Sequence, residues 1–136
     1  MKKLFASLLF ASSLCLTACG ASESSGSVKG KLDGSGYSTT AYTAEQAKER
    51  YKALTFEGFE LVDAVYGTKG EGDNFDFLLA FFFGNADQAS AFVTTGDNIR
   101  VFDNSKEQLG KNLVGKYGSH NNVAYVGSET SFSVAF

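Results

Sequence analysis

Residues 75–83 read FDFLLAFFF, and the fold turns on how that run is placed. Side chains of a strand alternate between its two faces, so Phe75, Phe77, Leu79, Phe81 and Phe83 point one way and need a core to enter. The opposite face, Asp76, Leu78, Ala80 and Phe82, is mixed. Upstream, residues 59–67 form a second apolar, β-prone run. The segment from Thr68 to Asn74 between the two carries Gly70, Gly72 and three charged side chains, which predicts a hairpin.

On either side of this hairpin the pattern changes period. Thr43 followed by Gln46 has the form of a capping box, and Ala44, Ala47, Tyr51 and Leu54 recur at helical spacing, predicting a helix over 43–54. Asn85 with Gln88 repeats the cap before a stripe of Ala86, Ala89, Phe92 and Val93, predicting a helix to about Thr94. Short strands are expected at 37–42, 99–102 and 123–126. A third helix is expected from Ser105 through Leu109, Leu113 and Tyr117, although Gly110 and Gly115 each weaken it by about 1 kcal/mol relative to alanine.

The first six elements follow the order of a split βαβ unit. The expected class is therefore α+β: a ferredoxin-like antiparallel sheet with helices on one face, plus an appended αβ unit. In such a layout the uncovered face is available for recognition. Val62, Tyr66, Leu78 and Phe82 are the candidate binding face on this reading, because they are more apolar than contact with solvent requires. Their expected partner is a protein, a peptide or a small apolar ligand.

The chain has 136 residues, enough for one domain, and beyond the first twenty positions no stretch approaches the roughly 20 apolar residues of a spanning helix. The start is different. Lys2 and Lys3 precede a short apolar run from Leu4 to Leu16, the layout of an export signal. That run ends in Leu16, Thr17, Ala18 and Cys19, followed by Gly20. This four-residue box resembles the lipobox of bacterial lipoproteins. The resemblance implies cleavage after Ala18, acylation of Cys19, and residence on the extracytoplasmic face of the cell membrane, held there by lipid. Two or more acyl chains make such anchoring stable where one chain does not.

The same resemblance sets the expected organisation: residues 1–18 a signal peptide, 19–36 a lipidated cysteine with a flexible Gly/Ser tether, and 37–136 one domain. With Cys15 removed and Cys19 acylated, no thiol remains for a disulfide, a metal or a nucleophile. Loss of Lys2 and Lys3 takes the formal charge from −3 to −5, which argues against nucleic acid as a partner. The run Asn85, Ala86, Asp87, Gln88, Ala89 with Phe92, and the run Val123–Glu129 ending in Phe136, are similar to small uncharacterised lipoproteins of Gram-positive bacteria. The tail from Ser128 fits either a strand through Phe132, Val134 and Phe136 or a short helix pairing Phe132 with Phe136; that similarity favours the helix and implies no particular activity.

Little in the sequence points to catalysis. His120 is the single histidine and lies in a turn-like stretch, Gly118 to Asn122. It could serve as an acid or base only with a group that folding brings to it. Glu71, Asp73 and Asp76 lack the spacing of a calcium loop, and Gly67, Gly70 and Gly72 lack that of a phosphate loop. No cofactor, metal or catalytic residue is assigned. The leading expectation is a non-catalytic binding module at the cell surface; the alternatives are a small envelope enzyme using His120, or a structural envelope component without a ligand. Asp63 shares its alternation with Phe59, Leu61 and Val65, so it needs a partner if that face is buried.

Overall fold

Five strands pair into one antiparallel sheet in the computed structural model, which describes residues 22–136. The box from Leu16 to Cys19 lies outside the described residues. In chain order the strands are β1 (Ser38–Thr43), β2 (Leu61–Lys69), β3 (Asp76–Phe83), β4 (Gly115–His120) and β5 (Val123–Ser128). They lie in the order β1-β2-β3-β5-β4, so the phenylalanine-rich β3 is the central strand. The helices are α1 (Ser25–Gly34), α2 (Ala44–Arg50), α3 (Ala86–Thr94), α4 (Asn98–Ser105) and α5 (Glu129–Ala135). The α+β class with an antiparallel sheet is thus present, and none of these helices is long and apolar enough to cross a membrane.

Local signals account for several elements. Thr43 and Gln46 form the expected capping box at the start of α2, and the Asn85 side chain accepts from the Gln88 amide at the start of α3. The tail is a short helix. Ser128 caps it, exchanging hydrogen bonds with Ser131 in a second capping box.

The ferredoxin-like detail is corrected by the strand pairing. A split βαβ unit inserts another strand between the two that flank its helix, whereas β1 and β2, on either side of α2, are direct partners from Ser38↔Thr68 to Thr43↔Asp63. The short α2 and the loop after it turn the chain straight back beside β1. Helices also cover both faces of the sheet, not one. On the first face α2, α3 and α4 bury Phe77, Leu79, Phe81 and Phe83 of β3 together with Phe92 and Phe102. On the second, α1 and α5 bury Leu78, Ala80 and Phe82 with Val28, Leu32 and Tyr125.

Helix α1 occupies residues expected to form the flexible tether. Val28 and Leu32 lie one helical turn apart, both are fully buried, and the docking of α1 on β1, β2 and α5 orders the segment. A Cβ at Gly67 would come within 3.2 Å of Leu32 Cδ1, so glycine at this position allows the helix to lie close to the sheet. Two further expectations are overturned. Residues 99–102 are helical within α4, and the helix expected after Ser105 is replaced by a tight 3₁₀ turn, a loop and β4, which pairs with β5 from Gly115↔Ser128 to His120↔Val123.

Candidate ligand cavity

The four residues of the expected binding face do not form one surface. Leu78 and Phe82 are 0% and 2% exposed beneath α1 and α5, so a charge placed at Phe82 would strike a core. An irregularity in the β2–β3 register between Leu61 and Asp63 interrupts the alternation of β2. Val62 is left in solvent, 57% exposed, while Tyr66 packs on the first face with Phe77. The same irregularity separates Asp63 from Leu61. Asp63 Oδ2 accepts from the Ser25 hydroxyl at 2.7 Å, so this carboxylate tethers the first turn of α1.

Of the four, Tyr66 borders a cavity of about 300 Å³ on the first face, between the sheet, the end of α2 and α4. The sheet side comprises Tyr66, Phe77, Leu79, Phe81 and Val126, and Leu54, Val101 and Phe102 close the sides. Arg50, Lys52, Ala53 and Gln108 are exposed at its rim. An apolar interior with a few polar groups at the mouth is the usual form of a small-molecule site.

Buried polar contacts tie together the elements that wall the cavity. Asn98, fully buried at the start of α4, accepts from the Thr55 amide at 2.7 Å and donates to the carbonyls of Thr55 and Phe92 at 3.1 and 2.9 Å. One side chain thereby ties the loop after α2 to α3 and α4, fixing the distance between the two walls. At the rim the Arg50 guanidinium lies 5.7 Å from the Tyr42 ring centre and 5.9 Å from that of Tyr51, within cation–π range of both. Tyr51 in turn meets Phe81 edge-on at 5.4 Å. These contacts anchor the rim arginine to the core.

His120 lies on the other side of the sheet. Its ring packs on Phe136 and Phe132 at 4.9 and 5.6 Å, and its Nε2 is 3.6 Å from Glu23 Oε2. Folding therefore does bring a carboxylate to the lone histidine, from a residue remote in sequence. Asn122 holds that segment in place, accepting from the Glu23 amide at 2.7 Å and donating to its carbonyl at 3.1 Å.

Sequence reasoning also missed Asp76, which had been grouped with the acids of the hairpin turn. Its carboxylate is buried and accepts from the Tyr37 hydroxyl at 2.6 Å and the Ser128 hydroxyl at 2.5 Å, linking the turn between α1 and β1 to β3 and the start of α5. A lone acid in an apolar strand was the available signal, since such a residue needs buried donors. Comparison with protein-family models, with curated proteins and with solved structures gives no match for this chain.

Burial sets the titration of the phenols. It pushes Tyr51 up to about 12 from the ordinary value near 10 and raises Tyr66 and Tyr125; burial and then the Asp76 carboxylate raise Tyr37. Above pH 10 the folded state therefore keeps protons that the unfolded chain releases. Stability is expected to hold up to about pH 10 and to fall as the pH rises through 10 to 12. Denaturation curves at pH 8, 10 and 11.5, read beside phenolate absorbance, check this. Phenols that all titrate near 10 in the folded protein, with stability unchanged, would refute it.

Proposed function

We propose that this chain is a non-catalytic binding module, anchored to the extracytoplasmic face of a bacterial membrane by lipid on Cys19, whose cavity takes a small apolar ligand. The observation that carries the binding half is the cavity itself, about 300 Å³ and lined by Phe77, Leu79, Phe81, Phe102 and Val126. Its polar groups sit at the mouth, where they can orient a ligand without leaving buried groups unpaired. The anchoring half rests on the box Leu16, Thr17, Ala18, Cys19 and its charged, apolar approach. With α1 starting at Ser25, only residues 20–24 separate Cys19 from the first helix. At roughly 3.5 Å per residue they span less than about 20 Å, which keeps the domain close to the head groups.

Acid–base chemistry at His120 is favoured by one observation, the Glu23 carboxylate at 3.6 Å. It is the weaker reading, because His120 packs with Phe132 and Phe136 on the α1/α5 face and the cavity opens on the other.

Both halves are tested on the full chain. The membrane-extracted protein is expected to be heavier than its Cys19→Ala variant by a diacylglyceryl group or more; masses differing only by the substitution would remove the anchor. An uncharged probe, 4-phenylbutan-1-ol, is expected to bind and to lose at least about tenfold in affinity in Val101→Phe, which fills the cavity while the melting midpoint confirms folding. Undiminished binding in that variant would place the ligand elsewhere.

A further inference from the structure

We propose that the cavity's ligand is a small amphiphilic anion, a carboxylate on an apolar body, and that Arg50 reads its head group. The inference rests on the cavity being a ligand site and adds the chemical class of what enters it. Three observations carry it. The first is charge. The cavity lining includes Arg50 and Lys52 but no carboxylate, and Lys52 is already paired with Glu49 at 2.8 Å. The chain's other arginine, Arg100, is paired with Asp97 at 3.2 Å, whereas Arg50 has no ion-pair partner among the described residues. The acids nearest it along α2, Glu45 and Glu49, line a neighbouring groove that Arg50 also borders, but neither is within ion-pair distance of Arg50, and Glu49 is taken up by Lys52.

The second observation is preorganisation. The Tyr42 and Tyr51 rings, whose centres are 6.1 Å apart, both lie within 6 Å of the guanidinium and restrict it from one side, so fewer rotamers are lost when a ligand binds it. A planar guanidinium offers a carboxylate two parallel hydrogen bonds, which an ammonium cannot match. The Tyr51 and Tyr66 phenols, which burial keeps protonated well past neutral pH, border the same space as further donors.

The third observation is size. About 300 Å³ stands at the lower end of small-molecule sites, suited to a single ring with a short chain and too small for a two-tailed lipid. Phe77 and Phe81 from the sheet and Phe102 from α4 offer that body aromatic surfaces.

The chain has no tryptophan, and two of its six tyrosines, Tyr51 and Tyr66, line the cavity, so a change in tyrosine fluorescence can follow binding. The full chain in phosphatidylcholine vesicles would be titrated with 4-phenylbutyrate and with 4-phenylbutan-1-ol, which share one apolar body. The acid is expected to bind at least about tenfold tighter than the alcohol, as a charge-assisted hydrogen bond warrants. Arg50→Gln should erase that preference, Arg50→Lys should keep part of it, and Lys48→Gln, on the same helix but outside the cavity lining, should leave it unchanged. Both positions are exposed on α2, and equal melting midpoints would confirm that folding is intact. Equal binding of acid and alcohol by the unaltered protein would overturn the anion reading and leave the cavity as an apolar site. A preference that survives Arg50→Gln would also overturn it, by placing the charge reader elsewhere. Binding of neither probe would overturn the cavity reading and this one with it.

Discussion

Replacing Phe92 with alanine is expected to destabilise the protein by about 3 to 5 kcal/mol, the largest effect of any single truncation considered. Phe92 has no exposed surface, and its ring centre lies 4.9 Å from Phe83, 5.1 Å from Phe56, 5.3 Å from Phe59, 5.7 Å from Phe81 and 6.0 Å from Phe102. It is therefore the point at which α3, α4, the loop after α2 and the central strand all meet. Truncation removes the transfer energy of a whole phenyl ring and leaves a void that five rings, each held by other contacts, cannot easily fill. Aromatic pairs add about 0.5 to 1.5 kcal/mol each beyond the area they bury, so the upper half of the range is the sharper expectation. Since domains of this size are stable by roughly 5 to 15 kcal/mol, the variant should lose at least about a fifth of the total. Urea denaturation with an unchanged slope would read the loss as a shift in midpoint. A loss below about 1.5 kcal/mol would show that the cluster collapses around the gap, and Phe92 would not be the keystone described.

What the sequence revealed divides by range. The caps at Thr43 and Asn85 were legible because a hydroxyl or amide and a glutamine three residues on settle them within one turn. The strand through Phe83 was legible because its period is two. Residues 99–102 misled for the opposite reason. Ile99, Val101 and Phe102 are β-prone, but Asn98 commits its side chain to Thr55 and Phe92, and that tertiary anchor outweighs local propensity. The second buried face of β3 was present in the sequence as an unbroken apolar run from Phe77 to Phe83. Such a run marks a strand covered on both sides, and the polar Asp76 at its start drew attention away from it. The cavity had no local signature, since Arg50, Tyr66, Val101 and Val126 come from four separate elements or their ends. Only Tyr66 of the expected face belongs to it, and for a reason no alternation rule contains: the register irregularity after Leu61.

Helix α1 is the element whose composition argues most strongly against it, and Leu32→Asp is expected to release it while the sheet stays folded. Gly26 and Gly30 in its interior each cost about 1 kcal/mol relative to alanine, and Gly34 closes its last turn, so the segment has little reason to be helical alone. Docking supplies the reason. Val28 and Leu32 are fully buried, and burial of each stabilises by roughly 1.5 to 3 kcal/mol. Further ties are polar and include Ser25 to Asp63, Thr39 to Asp33, Glu23 to Asn122 and His120, and Lys31 to the Ala135 carbonyl at 3.4 Å. An aspartate at position 32 would have to bury a charge against Gly67 and the second core, a penalty larger than everything α1 gains by docking. Undocking is the cheaper response. Amides of 25–34 should then exchange with solvent at least tenfold faster while those of β3 keep their protection, because β3 remains covered by α2, α3 and α4 on its first face. The β1–β2 side of the second face, with Val65, and the flank of α5 would lose their cover in the same step, so an apolar dye such as anilinonaphthalene sulfonate should bind the variant and not the parent. Loss of β3 protection in parallel with α1 would show instead that the second face cannot stand uncovered. Helix α1 would then be as much a part of the core as the phenylalanine strand it covers.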